Sequence, residues 1–135
     1  MRLFSILILS LGLTTSTTAQ ERITPDEFLD FADGKTLTFS DVSSGSIVGI
    51  EEFLSRKLTV WKDRSLTCVY GEIRIESDQL CFYYDRDQDG LPACWWPFRD
   101  GDRLFVLLAD LGNYQAQEVT NVTTETLDCP EIPAA

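Results

Sequence analysis

The residues best suited to a chemical role form one acidic segment, which reads Asp85-Arg86-Asp87-Gln88-Asp89-Gly90-Leu91-Pro92. This segment matches D-x-D-x-D-G, the first half of an EF-hand calcium loop. Carboxylates at alternate positions can converge on one hard cation, the glycine allows a sharp turn, and the next carbonyl oxygen can be a fourth ligand. We therefore predict a candidate calcium site formed by the side chains of Asp85, Asp87 and Asp89 and the backbone oxygen of Leu91.

The segment lacks the second half of the EF-hand pattern. Position 12 of the loop is Trp96 instead of a bidentate glutamate, and the flanking sequence does not predict helices. Asp100 or Asp102 could supply the missing carboxylate. Calcium is the one cofactor that the sequence suggests, with a Kd of roughly 10⁻⁴ to 10⁻³ M, the range of extracellular modules. The alternative interpretation is a solvated acidic hairpin loop that binds no ion.

A second candidate site is aromatic, because tryptophan, tyrosine and phenylalanine are dense in the middle of the chain. If these residues surround the mouth of a barrel, they could line a ligand pocket. The candidate pocket residues are Trp61, Phe82, Tyr84 and Trp95. The alternative is that the same side chains form ordinary core and rim packing.

The composition argues against several classes of function. The 135-residue chain carries 22 acidic and 11 basic side chains and no histidine, so its formal net charge is -11. This charge disfavours nucleic acids and anionic membrane surfaces, and the lack of histidine removes the commonest general base and metal ligand. Glu51 and Glu52 are adjacent acids, but neighbours on a strand point to opposite faces and do not converge. We therefore expect a protein that is not an enzyme.

The elements that position these residues follow from turn signals and hydrophobic alternation. Thr24-Pro25-Asp26-Glu27 is a helix-capping pattern, so we predict one short helix that begins there and ends at Gly34. After Gly34, apolar and polar residues alternate in short segments separated by polar or glycine-containing breaks, which is typical of strands. The eight predicted strands are Thr36–Ser40, Ser46–Phe53, Lys57–Lys62, Leu66–Glu76, Gln79–Asp85, Ala93–Phe98, Arg103–Ala109 and Tyr114–Thr120.

Eight short strands with mostly tight connections favour an antiparallel meander, which can close on itself and so remove its exposed edges. The predicted fold class is therefore mainly β: a small up-and-down β-barrel of lipocalin-like shape with one short N-terminal helix. A two-sheet β-sandwich is the alternative.

The cysteines Cys68, Cys81, Cys94 and Cys129 are even in number, which in a small exported domain indicates two disulfides. A zinc site is the alternative, but it usually needs paired C-x2-C knuckles. Cys81 and Cys94 lie at nearly equal distances from the midpoint of the 85–92 loop, so they should face each other across a hairpin. We predict the disulfides Cys81–Cys94 and Cys68–Cys129.

Residues 1–19 have the three parts of a secretory signal peptide: Arg2, an apolar run from Leu3 to Leu13, and small residues before Gln20. The alternative, a transmembrane anchor, needs roughly 20 apolar residues to span the bilayer. We predict a signal peptide over residues 1–19 and a single disulfide-linked β domain over residues 20–135. The predicted location is the periplasm or the extracellular space.

The cysteines and their neighbours also show a family pattern, which reads Cys68-x2-Gly71, Leu80-Cys81-Phe82-x-Tyr84, Cys94-Trp95 and Leu127-x-Cys129-Pro130. This pattern resembles a group of small exported bacterial proteins of unknown function. The segments Gly34 to Phe39, Gly49-x-Glu51-x-Phe53-Leu54 and Val60-Trp61 are similar to the same group. The resemblance implies an exported protein and no known activity, and the acidic loop is an addition to the pattern.

The predicted function is a non-enzymatic binding or envelope accessory module that holds a small ligand or a partner protein. One alternative is a structural module in which calcium stabilises the acidic hairpin, and another is an enzyme. We expect a monomer with no nucleic-acid partner and no stable membrane insertion.

Overall fold

The computed structural model describes residues 20–110 and 115–130. Within these ranges the chain forms one helix and nine strands. The elements are β1 (Glu21–Arg22), α1 (Pro25–Ala32), β2 (Thr36–Asp41), β3 (Ile47–Phe53), β4 (Leu58–Asp63), β5 (Cys68–Glu76), β6 (Gln79–Tyr84), β7 (Ala93–Asp100), β8 (Arg103–Leu108) and β9 (Ala116–Thr123). The predicted signal peptide lies outside the described residues, as does Tyr114 at the start of the last predicted strand.

The strands β2 to β9 form a closed antiparallel barrel. Each strand pairs with its neighbour in the chain, and β9 returns to pair with β2, so the sheet closes on itself. The short β1 pairs with the second half of β7. The prediction of an eight-stranded up-and-down barrel is confirmed, and the β2–β9 pairing excludes the alternative of a two-sheet sandwich.

Each of the eight predicted strands corresponds to a barrel strand, with ends displaced by a few residues. The fourth predicted strand begins at Cys68 instead of Leu66, because Leu66 has a positive φ of 62° in the turn before β5. The turn between β5 and β6 is two residues long. Ser77 and Asp78 both have positive φ there, as a type I′ hairpin turn requires.

The helix α1 begins with the capping box that the sequence predicts. The Thr24 hydroxyl accepts a hydrogen bond from the Glu27 backbone N–H, and the Glu27 carboxylate accepts one from the Thr24 N–H. One face of the helix is buried, with Phe28 and Ala32 fully enclosed. Arg56, in the β3–β4 loop, forms ion pairs with Asp26 and Asp30 on the exposed face. These contacts hold the helix across one end of the barrel.

The up-and-down order places alternate connections at opposite ends of the barrel. The helix and the 54–57, 77–78 and 101–102 connections lie at one end, which we call the helix end. The connections 42–46, 64–67 and 85–92 lie at the other, which we call the loop end. The predicted calcium segment therefore borders the barrel opening opposite the helix.

Side chains alternate between the barrel interior and its outer face. The inward-facing residues form the main hydrophobic core, which includes Leu37, Phe39, Phe53, Ile73, Leu80, Phe82, Leu104 and Val106 together with the buried face of α1. Phe28 of the helix packs edge-on against Phe53, with ring centroids 5.9 Å apart. The helix end of the interior is thus filled by aromatic and aliphatic packing.

Two disulfides lie on the outer face, paired as predicted. Cys81 and Cys94 are direct partners on β6 and β7, and Cys68 is joined to Cys129, with Cα atoms 6.0 Å apart. The second disulfide holds residues 124–130 against the barrel, where the Leu127 N–H donates a 2.8 Å hydrogen bond to Glu52. Disulfides are compatible with an oxidising, exported location.

In the part of the chain that the structure describes, no helix is long and apolar enough to cross a bilayer.

Candidate functional site

The barrel interior contains a partly open cavity of about 260 Å³ between the helix and the loop end. Its walls are mainly aromatic, and a small number of polar groups project into it. The lining residues are Phe28, Phe39, Glu51, Trp61, Phe82, Tyr84, Arg86, Asp87, Ala93, Trp95, Val106 and Gln117. An aromatic cavity with a few convergent polar groups is the usual form of a small-ligand site.

All four predicted pocket residues, Trp61, Phe82, Tyr84 and Trp95, line this one cavity. They come from β4, β6 and β7, and each faces inward because it occupies an inward position of its strand. The rings of Phe82 and Tyr84 are stacked, with centroids 6.1 Å apart. The four aromatic residues thus share one cavity, and their role in binding a ligand stays a prediction from sequence.

The main polar group of the cavity is the carboxyl of Glu51 on β3. Only 3% of this residue is exposed. The Tyr84 hydroxyl donates to the carboxyl, at 2.9 Å from Oε2, and the Thr59 hydroxyl donates to Oε1. Burial raises the pKa of Glu51 to about 7, although both hydroxyl hydrogen bonds act to lower it. The cavity therefore holds a carboxyl group that titrates near neutral pH.

The Tyr84 hydroxyl belongs to the same buried group. Burial, and after it the neighbouring Glu51 charge, raise the pKa of Tyr84 well above its ordinary value. The phenol therefore stays protonated and acts as a hydrogen-bond donor toward Glu51. The hydroxyls of Tyr84 and Thr59 both donate to the Glu51 carboxyl, and these hydrogen bonds stabilise its ionised form.

Two strand glycines make room for the aromatic side chains beside Glu51. A Cβ on Gly49 would overlap the indole ring of Trp61, and a Cβ on Gly71 would lie 2.9 Å from Cδ1 of Tyr84. Glycine inside a strand commonly marks such a close approach. The absence of side chains at Gly49 and Gly71 thus lets the Trp61 ring lie over β3 and the Tyr84 ring lie over β5.

At the loop end, charged residues border the cavity. Arg86 and Asp87 both line it, and the Arg86 guanidinium pairs with Asp63 of β4 at 3.3 Å. The hydroxyl and backbone N–H of Ser65, followed by Arg86, lower the pKa of Asp63, so it is ionised at neutral pH. Asp85 and Asp89 lie in the same connection. These four acids outnumber Arg86 and the nearby Arg64 of the 64–67 connection, so the border carries net negative charge.

The acidic loop does not have the geometry of a formed calcium site. The Asp89 carboxylate accepts the Leu91 N–H at 3.0 Å, and the Gly90 N–H donates to the Asp87 carbonyl, so the loop is closed by its own hydrogen bonds. Over residues 20–110 and 115–130, no three acidic or cysteine side chains are grouped so that they could hold a metal ion. Calcium binding by Asp85, Asp87, Asp89 and Leu91 therefore stays a prediction from sequence.

Asp100 and Asp102 are too far from this loop to complete a coordination shell. Asp100 ends β7 and pairs with Arg103, whereas the acidic loop precedes the first residue of the same strand. Seven residue steps along a strand span roughly 23 Å. The suggestion that either carboxylate joins Asp85 and Asp87 around one ion is wrong, because they occupy opposite ends of the barrel.

The sequence did not identify Glu51, Thr59 or Gln117 as site residues. Adjacent strand residues do point to opposite faces, as expected: Glu51 faces the cavity, and Glu52 faces outward toward residues 124–130. That alternation excluded a pair of converging acids but left open whether one of them is buried alone. The signal available was the spacing Gly49-x-Glu51, since a strand glycine two positions before an acid, and so on the same face, indicates a close approach of another side chain there.

Comparisons of the chain with protein-family models, curated proteins and solved structures found no match. The resemblance to small exported bacterial proteins therefore stays a prediction from the cysteine pattern.

Proposed function

We propose that this protein is a non-enzymatic binding module that holds a small ligand inside its barrel. The observation that carries the proposal is the aromatic cavity with one buried carboxyl at its wall. A volume of about 260 Å³ corresponds to about nine water molecules of liquid, at about 30 Å³ each. A ligand of roughly ten non-hydrogen atoms would therefore fill the cavity, which is at the small end of known sites.

The cavity surroundings support a site with a fixed shape. The helix closes one end through its buried face and the Arg56 ion pairs, and the Cys81–Cys94 disulfide joins the two strands that carry Phe82, Ala93 and Trp95. Walls held in this way lose little conformational entropy when a ligand enters. A rigid site of this kind favours ligand binding over wrapping a flexible partner.

The enzyme alternative rests on the same carboxyl. A glutamate with a pKa near 7 is suited to general acid–base catalysis, but Glu51 is the single lining residue with a pKa raised into that range. The proposal assigns it to ligand recognition. Turnover of a bound ligand that is lost in Glu51→Gln would favour the enzyme instead.

The proposal is tested by native mass spectrometry of the protein purified from its own cells. We expect a bound small molecule on the wild-type protein and its loss from Ala93→Leu, because Ala93 lines the cavity and a leucine would fill it. The matched control is Ala116→Leu on β9, whose neighbour Gln117 faces inward, so that Ala116 faces outward. An unliganded wild-type protein, or equal occupancy of both variants, would contradict the proposal.

We also propose that the protein is exported and that residues 1–19 are removed. The paired cysteines support an oxidising compartment. Amino-terminal sequencing of the mature protein is then expected to begin at Gln20. An amino terminus within residues 1–19 would contradict cleavage at this point.

A further inference from the structure

Glu51 is a buried acid for which the described residues supply no cationic partner. Its two hydrogen-bond donors, the hydroxyls of Thr59 and Tyr84, are neutral. The ion pairs of the described chain do not include it, and Arg86, the basic residue that lines the cavity, is paired with Asp63. Buried charges in proteins are normally paired. The counter-charge of Glu51 is therefore the part of the site that a ligand would supply.

The walls around the carboxyl are suited to a positive charge. Trp61 is the direct cross-strand partner of Glu51, so their Cβ atoms are about 5 Å apart. Tyr84 contacts the carboxyl through its hydroxyl, and its ring stacks on Phe82. Aromatic faces attract cations within about 6 Å of their centroids, most strongly when water is excluded. A cation at the carboxyl would thus lie beside at least two aromatic rings.

The border of the cavity has the matching charge. Asp85, Asp87 and Asp89 lie in the 85–92 connection and Asp63 ends β4, whereas the basic residues of this border are Arg86 and Arg64. The whole chain has a net charge of -11. Because acids outnumber basic residues at this border, it attracts ligands of positive charge. The acidic loop, which the sequence suggests as a calcium site, would then also attract an organic cation toward the cavity.

We propose that the ligand of this cavity is a small organic ammonium ion, whose charged nitrogen donates hydrogen bonds to Glu51 and whose apolar body packs between Trp61 and Tyr84. This inference rests on the proposed function, since it names the chemical class of the ligand. The ionised carboxylate has acceptor capacity beyond the two hydroxyl donors, so an N–H group can join them without displacing either.

The affinity of the cavity for a cation should depend on pH, because Glu51 must be ionised to bind it. The groups that face Glu51 are the phenol of Tyr84 and the hydroxyl of Thr59, with Arg86 and Asp87 at the border. Because the pKa of Glu51 is about 7, about one-eleventh of the protein is ionised at pH 6, and the apparent Kd for a cation rises about tenfold relative to pH 8.5. The affinity for a neutral ligand of the same shape should change much less.

The test compares three probes of nearly equal shape: benzylammonium, benzyl alcohol and benzoate. Binding is measured by calorimetry at pH 6 and pH 8.5 on the disulfide-bonded protein. We expect benzylammonium to bind about tenfold more tightly than benzyl alcohol at pH 8.5, because hydrogen bonds to charged groups are about twice as strong as neutral ones. Benzoate is expected to bind most weakly.

The variant that isolates the inference is Glu51→Gln, which keeps an acceptor for both hydroxyls but removes the charge. It should lose the preference for benzylammonium and the pH dependence, while still binding benzyl alcohol. The matched control is Glu52→Gln, the same substitution on the outward face, which should retain both properties. Tyr84→Phe, which removes one donor and keeps the ring, is a second variant that should weaken benzylammonium more than benzyl alcohol.

The outcomes separate this inference from the proposed function. If benzyl alcohol binds as tightly as benzylammonium and Ala93→Leu blocks it, the cavity is a ligand site and the ammonium inference is wrong. If benzoate binds most tightly, the inference is also wrong. If none of the three probes binds, the inference is overturned, and the native mass measurement then decides the proposed function separately.

Discussion

The buried carboxyl of Glu51 should contribute a defined pH dependence to the stability of this protein. In the folded state burial raises its pKa to about 7, from an ordinary value of 4.5. The perturbation is Glu51→Gln, which leaves the shape of the side chain and its hydrogen bonds from Thr59 and Tyr84 largely in place. The variant therefore removes the titration without opening the core.

The sign and size of the effect follow from the two pKa values. Below pH 4.5 the carboxyl is protonated in both the folded and the unfolded state, so its ionisation costs no stability. Between pH 4.5 and 7 the unfolded state releases the proton and the folded state keeps it, so the free energy of unfolding falls as pH rises. Above pH 7 both states are ionised and the loss is complete. At about 1.4 kcal/mol per pKa unit, this loss is about 3 kcal/mol.

The assay is urea unfolding of the wild-type protein and Glu51→Gln from pH 4 to pH 8. The variant should gain about 3 kcal/mol relative to the wild type across this range, with half of the gain near pH 6. Exposed carboxylates whose pKa is lowered, such as Asp41 and Asp63, act in the opposite direction but are present in both proteins and cancel. Glu52→Gln retains Glu51 and so retains the wild-type slope.

A difference between wild type and Glu51→Gln that stays constant from pH 4 to pH 8 would refute this reasoning. It would mean that the carboxyl is hydrated in the folded state, or that its hydroxyl donors offset its burial in full. An NMR titration of the Glu51 side-chain carboxyl carbon distinguishes these cases from a fault in the unfolding assay, because it reports the folded-state pKa directly.

Three further predictions concern the walls, the outer disulfide and the acidic loop. Gly49→Ala should destabilise the protein by about 1 to 3 kcal/mol, since the added methyl overlaps Trp61, and an unchanged urea midpoint would contradict this. Replacing Cys68 and Cys129 by serine should cost about 4 kcal/mol, because that bridge spans 61 residues; a loss below about 1 kcal/mol would argue against the chain-entropy account. The calcium hypothesis predicts that millimolar calcium raises the melting temperature through the 85–91 loop, and a calorimetric titration without heat would remove it.

The parts of the fold that could be predicted are those set by local period and by hairpin symmetry. Inward and outward positions alternate strictly along a strand, so Trp61, Phe82, Tyr84 and Trp95 could be recognised as candidates for one interior. The pairing of Cys81 with Cys94 followed from their position about the 85–92 loop, and the structure places them opposite each other.

The sequence could not predict which face of a given strand becomes the barrel interior, because this depends on the side chains of other strands. Strict alternation along β3 predicts that Glu51 and Glu52 face opposite sides of the strand. It does not predict which of the two faces the interior. The neighbouring strands determine it. The inward face of β3 contacts Leu37, Phe39 and Trp61, and residues 124–130 cover Glu52 on the outer face. Likewise, D-x-D-x-D-G spacing permits convergence on an ion, but the spacing alone does not specify the hydrogen bonds that Asp89 and Gly90 make within the loop.

The existence of the cavity follows from where small and large residues lie along the barrel. An eight-stranded barrel has an interior that side chains can just fill or that can hold one small ligand. At the helix end, Phe28 and Phe53 fill it. Toward the loop end, the inward positions include Gly49, Gly71 and Ala93, which carry little or no side chain. The rings of Trp61 and Tyr84 lie over Gly49 and Gly71 instead of projecting to the barrel axis, so space is left beside Glu51.

Adding volume at Ala93 should therefore remove binding with a small effect on folding, whereas adding it at Gly49 should displace the Trp61 ring and destabilise the protein. A measurement of stability and binding on both variants would separate these two roles.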